Sequence, residues 1–158
     1  MNSKTSPEQL DREVVRHGRV SWLTHPPNGR ARIEAQSAAF HALPVSLREG
    51  DPVPYEATPG ELLAVTDGML LAANLAEALT GAGTPANEIV VEAAPIFVGP
   101  LSDRKLTAID LDVLGRVPGI GSPAFSDAVA TAWRKTLRSI GVREDFPGTV
   151  RAELQSSG

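Results

Sequence analysis

Cysteine, the residue type that most often carries redox and covalent chemistry, is absent from all 158 residues. That removes disulfides, thiolate metal sites and any thiol nucleophile. His17, His25 and His41 show no ligand spacing, whereas a zinc site needs about three or four convergent protein ligands. No serine stands in a nucleophile-elbow motif, and the glycines match no dinucleotide fingerprint. Neither a metal nor a cofactor is expected. What remains is a lone carboxylate, Asp67, in the middle of the apolar stretch "YEATPGELLAVTDGMLLAANLAEALTGAG" (Tyr55–Gly83). Burial there raises a carboxylate's pKa by desolvation and suits it to act as general acid or base. The structural alternative is a carboxylate hydrogen-bonded to an arginine or to backbone amides, and one acid without a partner makes a thin active site.

Other polar or aromatic candidates each have a plainer role open to them. Asn74 lies seven residues after Asp67, on the same helix side, where it either touches a ligand or makes an interhelical hydrogen bond. Thr136 falls on the apolar stripe of a second helix, where its hydroxyl can bond the carbonyl of Ala132. Trp133 either lines a pocket or belongs to the core. Arg134, Lys135 and Arg138 form a basic group that suits an anion site or a solvated helix face. Asp110 and Asp112 share the outward face of a strand, where a salt-bridged surface pair is the usual arrangement.

These residues need elements to position them. Thr58, Pro59 and Glu61 read as N-cap, first helical residue and capping-box glutamate, with Gly81 and Gly83 as the stop. The window Leu62–Leu79 approaches membrane-spanning length, but it holds Asp67, Asn74 and Glu77, and an ionised group at bilayer depth costs ~2.5–3.5 kcal/mol. The expected setting is therefore inside protein, with cover on nearly every side. That cover comes from a wrapping sheet or from a second copy of the chain.

Strands are expected at Gly18–His25, at Arg30–Ser37 after the turn Pro26–Gly29, and at "AFHALPVS", with the loop "LREGDPVP" following. Beyond the long helix, "NEIVVEAAPIFVG" and "RKLTAIDLDVLGRV" are β-rich, and Ile109, Leu111 and Val113 alternate with Ala108, Asp110 and Asp112. Ser122 as N-cap and Pro123 open a second helix with the stripe Phe125, Val129, Ala132, Trp133, Thr136, Leu137 and Ile140, closed by Gly141. A last strand fits "GTVRAELQ". The order β-β-β-α-β-β-α-β indicates an α+β fold with antiparallel hairpins. Residues 1–17 read as an N-terminal extension and 18–158 as a single domain. The first eighteen residues lack the apolar core of a signal peptide, so cytoplasmic residence is the default expectation. The net charge of −4, without a Lys/Arg-rich run, argues against a nucleic-acid partner.

The order of elements, "TPGELL" opening the long helix, "EALTGAGTPANEIVVEAAPIFVG" after it and "VPGIGSPAFSDAV" opening the second helix together resemble the OsmC/Ohr family, from about Gly18 to Gln155. The resemblance implies antiparallel sheets wrapping two helices in an intertwined homodimer, with the long helix at its centre. It also implies thiol-dependent reduction of organic hydroperoxides, by a peroxidatic cysteine on the first helix and a resolving cysteine on the second. In this chain the first position falls on Leu70 and the second on Thr136. The activating glutamate falls on Gly60, with Glu61 one place late, and the arginine falls on Arg30 in "NGRAR". Attack on the O–O bond needs a low-pKa thiolate that becomes a sulfenic acid. Leucine cannot supply one, and the peroxidase reading fails here.

The resemblance further implies a pocket at the dimer interface, here around Asp67, Leu70, Asn74, Trp133 and Thr136, and without cysteines that pocket is expected to bind a small apolar organic molecule. A repurposed enzyme would draw on Asp67, Glu61 or Arg30 for acid–base or electrostatic work in that pocket. A non-catalytic structural or regulatory paralogue is the third expectation.

Overall fold

A computed structural model describes residues 18–22, 30–39, 43–46, 56–100 and 103–156. The expected N-terminal extension, the turn at 26–29, the loop at 47–54 and all three histidines lie outside these residues. The chain divides into two compact units, residues 1–59 and 60–158.

The first unit holds one antiparallel sheet in the order β1-β2-β3, with β1 at Gly18–Trp22, β2 at Arg30–Ala35 and β3 at Leu43–Ser46. Gly18 pairs with Ala35 and Trp22 with Ala31, while Arg30 pairs with Ser46. In β2 Ala31 is buried and Arg32 exposed, while Ile33, Glu34 and Ala35 are half-buried. Ala57 then bridges Val45, accepting from the Ser46 N–H at 2.7 Å.

The second unit is built on α1 (Pro59–Gly81), β4 (Glu88–Val98), β5 (Lys105–Arg116), α2 (Ser122–Ser139) and β6 (Val150–Leu154). Pro59 opens α1 at the position where a missing N–H costs nothing. Both helices end alike. Gly83 (φ 82°) and Gly141 (φ 75°) occupy the left-handed region just past each helix. The next N–H reaches back to Leu79 O in α1 and to Leu137 O in α2, at 2.9 Å each. That is the Schellman closure, in which glycine carries no Cβ penalty.

Ser122 is the first residue of α2 rather than its cap. Gly121 takes the extended cap position and no side chain bonds the free N–H groups. The proline thus falls at the second helical position, one later than expected.

The sheet of this unit runs β4-β5-β6. β4 and β5 pair antiparallel from Glu88↔Arg116 to Val98↔Lys105. β6 lies parallel to β5, Leu111 beside Val150, and here the expected antiparallel pattern has its exception. The reason is the connection: α2 carries the chain back along the sheet, so β6 must run in the direction of β5. Ile109, Leu111 and Val113 of β5 turn inward to meet Leu71, Leu75 and Leu79 of α1 and Phe125, Val129, Trp133 and Leu137 of α2 in one core. By length and hydropathy α1 could cross a membrane; in the fold its leucine stripe is part of this core.

Candidate functional site

α1 sets the position of most candidates. Its buried side follows the helical repeat through Asp67, Gly68, Leu71, Leu75 and Leu79. At Gly68 the helix runs close to β4, since a β-carbon there would stand 3.5 Å from Val91 Cγ1. Its neighbour Asp67 is 1 % exposed, and Oδ2 has no hydrogen-bond partner among the described residues. Desolvation pushes the carboxyl above the ordinary aspartate range, because the charged form loses more hydration than the neutral one.

Leu70, where the resemblance places the peroxidatic thiol, is half-buried and three residues from Asp67, on a neighbouring side of the helix. Asn74 continues this line and is already engaged. Its Nδ2 donates to Thr136 Oγ1 at 2.9 Å, and Thr136 Oγ1 donates to Ala132 O at 2.8 Å. The position matching the resolving cysteine thus holds a buried hydroxyl whose proton is given to its own helix, while its oxygen receives the amide of the other. Trp133 sits in the shared core. The structure brings Asn74 and Thr136 into direct contact, with Trp133 on the same buried stripe of α2.

Within the second unit the other candidates do not gather around Asp67. Glu61 is exposed in the first turn of α1, six residues earlier, which is about 9 Å along the axis. Arg30 begins β2 in the first unit, with its side chain outside the described residues. Arg134, Lys135 and Arg138 are all exposed on α2. Lys135 meets Glu77 at 3.7 Å and Arg138 meets Glu144 at 3.0 Å, as a solvated face would. Asp112 faces Arg151 at 3.6 Å. Asp110 Oδ1 accepts the Thr149 N–H at 2.8 Å, fixing the approach to β6. Among the described residues no group of three or more acidic or histidine side chains is placed to hold a metal ion.

Two features escape a reading of the sequence. The first is a cleft of ≈420 Å³ beside the N-terminal half of α1, walled by Ala64, Val65, Val91 and Ala93; Asp67 does not line it. The second is the outward side of α1, where Val65 is 64 % and Met69 63 % exposed. The even apolarity of the stretch signalled a need for cover, but not which side would stay open.

No protein-family model matches the chain, and no curated protein matches it in sequence. Solved structures do. An OsmC-like protein from Mycoplasma pneumoniae has a TM-score of 0.68 at 9 % identity, over 92 % of this chain and 99 % of that one. An OsmC-like protein of unknown function from Vibrio cholerae gives 0.63 at 11 %, over 90 % and 100 %. An organic hydroperoxide resistance protein from Elizabethkingia anophelis gives 0.62 at 14 %, over 93 % and 99 %. The chain has the OsmC-like α+β fold, without a cysteine.

Proposed function

We propose that this chain is a non-redox, homodimeric binding protein. In this reading the open side of α1 packs against a second copy, and a site at that interface beside Asp67 and Leu70 takes a small apolar organic molecule. One observation carries the reading. α1 departs from an ordinary surface helix at two points: a carboxylate is on its buried side among the leucines, while Val65 and Met69 face out. An exposed apolar helix face is stable in water only when another apolar surface covers it, and a second copy is the cover that symmetry supplies most readily. The likeness to OsmC-like structures supports the same reading. Leu70, in place of a thiol, makes the interface site a binding surface rather than a redox centre.

Sedimentation at micromolar concentration tests the assembly, and the expected species is a dimer. Thermal shift with non-peroxidic apolar probes such as cumyl alcohol tests the site. The expected result is a rise in Tm that the cavity-filling variant Leu70→Trp abolishes. A stable monomer, or no probe that raises Tm, overturns the proposal.

A second reading, a cofactor-independent enzyme on the same site, is favoured by the desolvated carboxyl of Asp67. It requires that Asp67→Asn abolish turnover of a bound organic substrate without lowering the melting temperature.

A further inference from the structure

We draw no further inference here: the strongest candidate, the cleft beside α1 at the edge of β4 where Glu92, Asp110 and Asp112 crowd one rim, is a cluster of carboxylates whose lining includes no buried, unpartnered polar side chain, and nothing in the structure shows what covers it.

Discussion

The two helices of the second unit bury leucine, valine and aromatic side chains in the same core, yet they treat their outer sides in opposite ways. α2 is amphipathic in the ordinary sense: Phe125, Val129, Trp133 and Leu137 face in, while Arg134, Lys135 and Arg138 face water. α1 has its leucines inside, but a carboxylate beside them and Val65, Met69 and Ala73 outside. For α2 the chain itself accounts for every side. For α1 it does not. One sequence, one core and two helices thus separate the requirements of folding, which α2 meets alone, from those of assembly or binding, which α1 still leaves open.

The strongest way to break this contrast is to attack the inner side of α2. Phe125 is fully buried against the sheet, and Phe125→Ala removes a ring that the surrounding core cannot replace. The expected loss is about 3–5 kcal/mol of unfolding free energy, read by denaturant titration. A change below about 1 kcal/mol would mean that α2 is not part of the folding core.

The outer side of α1 should behave in the reverse way. Val65→Asp with Met69→Asp places two charges on the open face without touching the leucine stripe. The expected outcome is a dimer weakened at least about 100-fold, some 2.7 kcal/mol, in a protein whose far-UV circular dichroism is unchanged. Sedimentation equilibrium across a concentration series measures the first quantity. If the doubly charged variant assembles as the parent does, α1 is not the interface.

Much of this contrast could be read from the residues, and part could not. Apolar periodicity is a local property, so the order of elements, the inward set of β5 and the stripe of α2 were all visible in the sequence. So was the stop at each helix, because glycine is the residue that tolerates the left-handed closure. The parallel seat of β6 was not visible, since strand direction follows from where α2 delivers the chain. Nor was the pairing of Asn74 with Thr136, which lie 62 residues apart; each position announced a polar group on an apolar face, but neither named its partner. Asp67 shows the same limit. Its burial follows from its neighbours, whereas the lack of a hydrogen-bond partner for Oδ2 among the described residues is a fact of three dimensions.

That missing partner gives the next test. Asp67 has a folded-state pKa raised by burial, so the folded protein holds this proton more tightly than the unfolded chain. Its contribution to stability is full below the ordinary aspartate value and is lost as pH rises through the raised folded value, after which the curve is flat. Asp67→Asn removes the ionisation, and this acid-range slope should vanish with it. At neutral pH the variant should be at least as stable as the parent, with a gain of order 1–2 kcal/mol where no donor or cation meets the carboxylate. Thermal melts from acid to neutral pH decide the sign. A loss at neutral pH would instead mean that a second copy or a ligand completes the carboxylate.

The smallest expected effect lies where the two helices touch through polar atoms. Thr136→Val keeps the shape of a fully buried side chain but removes the oxygen that accepts from Asn74 Nδ2 and the proton that goes to Ala132 O. The Ala132 carbonyl belongs to the helix, and the half-buried Asn74 can turn part of its amide towards water. The cost should therefore be about 0.5–1.5 kcal/mol, the range for a lost net hydrogen bond rather than for an orphaned charge. Asn74→Ala should cost a similar amount or less. The double variant should cost clearly less than the sum of the two, because the second change removes a group already deprived of its partner. Additive costs would show that the 2.9 Å contact stabilises nothing. A Thr136→Val variant with unchanged Tm but a lost response to cumyl alcohol would identify the hydroxyl as a ligand contact. In that case α2, like α1, would have a side reserved for binding, and the contrast between the helices would narrow to their outer faces.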